Sequence, residues 1–387
     1  MNGLTAYGNY RGEKWNLYSS VNLNNRLRII EGDRQVITTY INPTTNEIDS
    51  TKYIDFNFFN NSDRIGNSFK FGADYSINEH LIVNGEINYD QHLHDGVNTQ
   101  YIFQPEPADT MEIIDGDFDD NYDVEGYFDI NQTFDNPDRE FNFSLSYDYQ
   151  KDNESESLDL DTTTLFQDIN GINIDLSYKH PLNEKSKVEL GYDGKINDNT
   201  EIMNFQITDA SNNIFKGENT FGYKRSIHGL FLEYDYKLND KFSIKPSVRY
   251  EFVSKDISFK SIKSDANPSI LYSDILSQLD DSTYIDNYST FYPDLHFTYN
   301  ITEKQSLQFG LSKRVNRPGD GGHGGGSRQI RPFPRNVYSE NFIFMGNPFL
   351  KPEYSTQYEI SFKSPMPMGF GYVNRYYHQL ENVIEWY

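Results

Sequence analysis

GLFLEYDYKLNDKFSIKPSVRYEF, residues 229–252, sorts its side chains by strict alternation into two chemically opposite rows. Leu230, Leu232, Tyr234, Tyr236 and Leu238 form one row, and Glu233, Asp235 and Lys237 dominate the other. After the turn residues Asn239 and Asp240 the alternation resumes. Phe242, Ile244, Pro246, Val248, Tyr250 and Phe252 stand opposite Ser243, Lys245, Ser247, Arg249 and Glu251. Successive strand side chains point to opposite faces, so one face of this hairpin seeks an apolar medium and the other a wet, charged one.

Two environments satisfy such a hairpin. A soluble sandwich packs the apolar face on a second sheet and leaves the polar face in water. A membrane barrel turns the apolar face to lipid and the polar face to its lumen. Soluble strands usually run about five or six residues, whereas a tilted membrane strand needs about 9–11. Both arms here reach the longer figure, which favours the membrane. On that reading Glu233, Asp235, Lys237, Lys245, Arg249 and Glu251 line the lumen.

The same hairpin recurs along the chain. Residues 68–77 and 81–89 alternate in the same way around Asn78 and Glu79, and further copies cover 124–134 with 141–149, 172–182 with 188–196, and 291–301 with 307–315. A weaker copy pairs 354–362 with 370–386, and a short strand over residues 4–10 feeds another over 15–23. Tight turns of Asn, Asp, Glu and Pro join the two arms of each copy, as their local hydrogen bonding favours. Long polar segments lie between copies, at 95–121, 151–170, 200–224, 255–288 and 317–353, and read as loops, while 24–67 reads as a polar excursion on one side with short β-like pieces at 36–41 and 53–59. Short turns on one side and long loops on the other are the organisation of an outer-membrane barrel of about fourteen strands.

Composition agrees. Only 36% of residues are hydrophobic, and no run approaches the roughly 18 apolar residues of a membrane helix, so a membrane-spanning chain must be a barrel. The 30 Tyr and 28 Phe suit the two membrane rims. A net charge of −24 repels polyanions, which argues against nucleic acid as a partner. With no cysteine there is no thiol catalysis and no Cys-ligated metal.

Candidate chemical sites are sparse. Residues 319–326 are Gly-rich but lack the Lys-Ser/Thr ending of a phosphate loop. Asp115, Asp117 and Asp119 have the odd spacing of a calcium loop, although Asp120 stands where glycine is expected, and they make a weak calcium candidate. His92 and His94 could share one strand face but lack an evident third ligand. No GxSxG or HExxH motif occurs, so no enzymatic activity and no cofactor are expected.

One region departs from the repeat. Pro332, Pro334, Pro348 and Pro352 fix φ and remove donors, so the connection over 317–353 should be braced rather than laddered. The run Ser312-Lys313-Arg314-Val315-Asn316-Arg317-Pro318, followed by Gly346-Asn347-Pro348-Phe349-Leu350-Lys351-Pro352-Glu353-Tyr354, resembles the signature of TonB-dependent receptor-type outer-membrane β-barrel proteins. The distinctive residues are Arg314, Asn316, Arg317, Pro318, Pro332, Pro334, Gly346, Asn347, Pro348, Leu350, Pro352 and Glu353.

The resemblance implies an all-β, antiparallel up-and-down barrel of about 22 strands in the outer membrane of a Gram-negative bacterium. It implies a plug domain, import of a scarce or large solute, and a TonB-type energising complex acting through the plug. A surface lipoprotein lid and outer-membrane lipid complete the implied partners. No plug-like segment precedes Leu4 and no TonB box is evident, so residues 1–387 are expected to form part of one barrel domain, without plug or last strands. A surface adhesion or assembly barrel and a passive porin are the alternatives.

Overall fold

A computed structural model describes residues 2–41, 48–105, 108–208, 214–263, 282–319, 327–332 and 345–385. The alternating segments form fourteen strands: β1 (Asn2–Arg11), β2 (Trp15–Ile41), β3 (Ile48–Asn78), β4 (Leu81–Pro105), β5 (Ala108–Thr133), β6 (Glu140–Leu158), β7 (Asp161–Asn183), β8 (Ser186–Thr208), β9 (Ile214–Lys237), β10 (Phe242–Lys263), β11 (Ser282–Thr302), β12 (Gln305–Asn316), β13 (Glu353–Met366) and β14 (Gly369–Glu381). A single helical turn, α1 (Ser327–Ile330), lies between β12 and β13. Every strand pairs antiparallel with its sequence neighbour, giving one sheet in the order β1 to β14. The expected up-and-down architecture and strand count are borne out. Among the described residues β1 and β14 each have one strand partner.

The register confirms the alternation of the opening hairpin. Val248 lies opposite Leu232 and Tyr250 opposite Leu230, while Ser247 faces Glu233 and Glu251 faces Gly229. Leu230 is 61% exposed and Leu232 49%, and Phe69, Phe71, Ile87, Leu190, Phe252 and Phe291 continue the same uncovered apolar face. So much bare hydrocarbon is stable only against lipid. Aromatic pairs mark its edges. Trp15–Tyr75 and Phe242–Tyr299 stand near the short turns, and Tyr250–Phe291 about one membrane strand further along. Among the described residues no helix is long and apolar enough to span a membrane, so the crossing is made by strands.

The polar segments read as loops are corrected by the structure. Residues 95–105, 108–121, 200–208, 214–224, 255–263 and 282–288 continue the ladders beyond the membrane, and the β-like pieces at 36–41 and 53–59 are parts of longer strands that take in 24–41 and 48–67. Even 151–170 is a strand hairpin, closed by a two-residue turn in which Asp159 takes φ 52°. Asp enters the left-handed region more readily than most residues because its side chain can hydrogen-bond locally. Strand β3 has 31 residues, roughly 100 Å of chain. Polarity alone did not end these strands, because an antiparallel ladder satisfies backbone groups whatever its side chains are. The connection after β12 is where the described chain leaves the ladder.

Above the membrane the apolar residues change faces. Met203, Phe205 and Ile207 on β8 occupy the interior side, in step with Glu189 and Asp193 nearer the turn. With Leu165, Phe221, Tyr223, Ile257, Phe259 and Ile330 they form a buried interior cluster, against which Tyr284 packs. Water surrounds this part of the sheet, so the sheltered side is its concave interior.

Candidate functional site

Strand alternation places Arg249 and Glu251 on the interior face of β10. Gly229 on β9 lies directly opposite Glu251, and a Cβ there would collide with the Arg249 guanidinium. The glycine thus lets Arg249 reach across β9 to an ion pair with Asp193 on β8. Arg249 Nε also donates to Glu251 Oε1 at 2.7 Å. The second Glu251 oxygen accepts from Arg317, which also donates to the Tyr292 hydroxyl at 3.2 Å. The structure therefore brings a motif residue, Arg317, onto two residues of the interior face, one of which, Glu251, the sequence pattern assigns to the lumen.

The remaining interior residues make smaller pairs nearer the turns. Lys245 meets Glu233 at 2.7 Å, and Asp235 meets Lys187 at 3.7 Å. Lys237 instead turns to Asp240, 3.0 Å away in the connecting turn.

Beyond β12 the chain folds inward. Pro318 is buried, and Gly319 takes φ 85°. A Cβ at Gly319 would also press to 3.0 Å from Ile330 and 3.1 Å from the Tyr223 hydroxyl, so conformation and space both require glycine. Ile330 is fully buried in the interior cluster. Beside it Arg331 Nη1 donates to Glu201 Oε2 at 2.6 Å, with both side chains almost wholly buried. Glu201 Oε1 accepts from Gln167 at 3.0 Å and Asn199 at 3.3 Å, which offsets part of the cost of burying a carboxylate.

The returning half of the connection is stitched to the first. Gly346 N donates to Arg331 O and Asn347 N to Gln329 O, each at 2.8 Å. Asn347 Oδ1 accepts from Phe349 N at 2.9 Å, and Phe349 stacks edge-on against Tyr284. Lys255 reaches the Leu350 carbonyl at 3.3 Å, while Pro332, Pro348 and Pro352 are buried. Glu353 accepts from Ile384 N at 3.2 Å. These motif residues form a brace across the interior rather than a constellation of reactive groups. Arg314 and Asn316 stay exposed at the top of β12, and Pro334 lies outside the described residues.

Burial tunes two groups under this brace. It pushes the Lys255 ammonium below its ordinary value, against the attraction of Asp286. It raises the Tyr288 phenol to about 12, with Arg317 pulling the other way.

The calcium spacing does not survive as a loop. Asp115, Asp117 and Asp119 lie on β5, where alternate side chains are spread about 6.8 Å apart along an extended strand rather than wrapped around a point. Among the described residues no group of three or more His, Asp or Glu side chains is arranged to hold a metal ion. Asp117 instead lies 3.1 Å from Nε2 of His94, whose Nδ1 meets Arg64 Nε at 3.3 Å. His92 shares that strand face but is exposed.

Sequence reasoning does not single out Glu201, Ile330 or Arg331. The one signal pointing toward them is the alternation Met203, Phe205, Ile207, which continues the row of Asp193 and Lys195 with the polarity reversed.

The sequence model of the outer membrane protein beta-barrel family matches residues 120–386, well over half the chain. The chain belongs to that family. It is accordingly an outer-membrane protein, as the lipid-facing band requires. No curated protein matches it. Among solved structures, the ferric yersiniabactin uptake receptor from Yersinia pestis is similar in fold, with a TM-score of 0.54 at 13% identity over 98% of this chain and 52% of that one. The siderophore receptor PiuA from Acinetobacter baumannii gives 0.53 at 9% identity, over 97% of this chain and 56% of that one. A copper transporter, OprC, gives 0.50 at 9% identity, over 97% and 53%. The chain spans about half the length of the solved structures it matches. The receptor-type resemblance of the β12–β13 motif is thus matched by receptor barrels at the level of fold.

Proposed function

We propose that this family member is the barrel wall and mouth of a receptor that captures a solute at the cell surface and, in the whole protein, imports it. The carrying observation is the β12–β13 connection, folded onto the interior and held there by the Arg331–Glu201 and Arg317–Glu251 pairs. A braced segment inside the mouth suits selective capture better than free diffusion, and so favours a receptor over a passive porin. Energised import would engage a TonB-type complex through a plug region, and a surface lipoprotein could act as a lid. Ferric siderophores, cobalamin, glycans and peptides are the solute classes to compare.

The test is uptake by the native bacterium with the gene deleted and then restored, with and without a protonophore. The expected result is loss of accumulation of one solute class on deletion, recovery on restoration, and collapse with the protonophore. Unchanged uptake of every class, or an open ohmic conductance from the purified protein in a planar bilayer, would overturn the reading.

A further inference from the structure

A cavity of about 470 Å³ lined by Asn22, Asp90, His92, Asp123 and their neighbours is dominated by side-chain amides, with aspartates and no lysine or arginine. A second, of about 420 Å³, has a different construction, which the ladder registers make explicit.

Arg28 on β2 lies opposite Ser62 on β3, Ser62 opposite Gly96 on β4, and Gly96 opposite Asp117 on β5. These four residues form one transverse row across the interior face. Ser62 and Gly96 are small and buried, so the row is a trough with an arginine at one end and an aspartate at the other. The row on the turn side runs Arg26, Arg64, His94, Asp119, and the row beyond runs Ile30, Asn60, Asn98, Asp115. Both flanking rows repeat the order of the ends, except that Ile30 replaces the arginine in the outer one.

Glycine keeps the floor of the trough low. A Cβ at Gly96 would press to 3.1 Å from His94 Nε2, so the imidazole lies over the glycine. Further out, Phe58 lies across Gly32 in the same manner and closes that end with an apolar ring.

Asp117 already meets His94 Nε2 at 3.1 Å, and further charge remains at each end. Among the described residues Arg28 and Asp115 have no hydrogen bond or ion pair, and Arg64 is engaged only through Nε, by His94. In a protein of net charge −24, arginines without a carboxylate partner on one wall of a trough are not explained by the general acidity of the surface. Burial, with Asp117 adding to it, raises the Asp115 carboxyl above its ordinary value, the sign of a carboxylate lacking a cationic partner.

We propose that this trough binds an amphoteric organic solute, seating its anionic group on Arg28 and Arg64 and its cationic group on Asp115 and Asp117. The guanidinium fork matches a carboxylate, and a carboxylate pair matches an ammonium. Three interstrand spacings separate the Arg28 and Asp117 backbones by about 14 Å. Side-chain reach shortens that to the span of an extended tripeptide, about 10 Å between its ends. A simple anion is repelled by the β5 wall and a simple cation by the β2–β3 wall. The site is distinct from the Arg331 brace, and it names the solute class while resting on the reading that this interior takes up solute.

The experiment is calorimetric titration of the purified full chain, folded in detergent, with triglycine, N-acetyl-triglycine and triglycine amide. Triglycine is expected to bind saturably, and each capped form about tenfold or more weaker, as loss of a charge-assisted hydrogen bond dictates. Arg28→Gln should weaken triglycine by about the same factor without weakening the amide, because the amide has no carboxylate to lose and is relieved of a repelling charge. Asp115→Asn should weaken triglycine without weakening the acetylated form, which has no ammonium to lose and is relieved of a repelling charge. Retained heat-modifiable migration of each variant on gels establishes that it is folded. No saturable binding of triglycine, or equal binding of all three probes, would overturn the proposal. Binding needs no import, so intact binding without cellular uptake would refute the import reading and leave this inference standing.

Discussion

The most informative perturbation is loss of the buried carboxylate that holds the interior brace. Glu201 is 1% exposed and Arg331 5%, so Glu201→Ala removes the carboxylate that the buried guanidinium meets at 2.6 Å. Removing one partner of a buried ion pair costs about 3–5 kcal/mol. The brace can escape that cost by undocking, which exposes Ile330 as well as Arg331. The docked-to-undocked ratio should then fall by roughly a hundredfold to several thousandfold. Because the chain has no cysteine, Ile330→Cys places a single thiol probe at a fully buried position. Maleimide should label it slowly when Glu201 is present, and faster by about two orders of magnitude or more when Glu201→Ala is added. Added salt should change neither rate much, because a buried pair is weakly screened. Combining Glu201→Leu with Arg331→Met should restore slow labelling, since an apolar pair of similar volume carries no uncompensated charge. Equal labelling rates with and without Glu201 would refute the claim that this pair holds the connection inside.

Two further outcomes follow from other parts of the fold. Leu232→Arg sits on the lipid face near the middle of the membrane segment of β9, and should cost about 2–4 kcal/mol in urea unfolding from lipid vesicles. Ser247→Arg, whose cross-strand neighbours are Glu233 and Asp294, should be tolerated, and equal costs at the two positions would contradict the lipid assignment. Tyr288 has its folded pKa raised to about 12, against about 10 in an unfolded chain. The folded form therefore binds more protons between those values. Its contribution to stability is fully present below about pH 10 and is lost as pH rises toward 12. Tyr288→Phe should remove that fall, and a phenolate absorbance that titrates at the ordinary value in the wild-type minus Tyr288→Phe difference would refute the shift.

Much of the fold is legible in residues 229–252. The period-2 sorting of Leu230, Leu232, Val248 and Tyr250 against Glu233, Lys245, Arg249 and Glu251 is a property of the chain alone. It decides strand, face and membrane together, because each repeat carries the same contrast and the membrane imposes one polarity on the outer face. The motif around Arg317 and Pro348 likewise marks the family and the odd connection from its residues. Strand ends are not legible, since Asp, Asn and Thr continue a ladder as readily as they end one, and segments such as 151–170 carry no breaker at their start.

What only the tertiary structure decided was where distant rows meet. Met203 and Phe221 look like loop residues until the sheet curves and their side becomes the sheltered one. Glu201 and Arg331 are 130 positions apart, and no local pattern links them. The trough between Arg28 and Asp117 depends on three strand registers, each of which a slip of one residue would turn to the opposite face. Alternation is a short-range property that every strand carries in its own residues. Charge pairing and cavity shape arise only when neighbouring strands fix their register and the connection after β12 folds back among them.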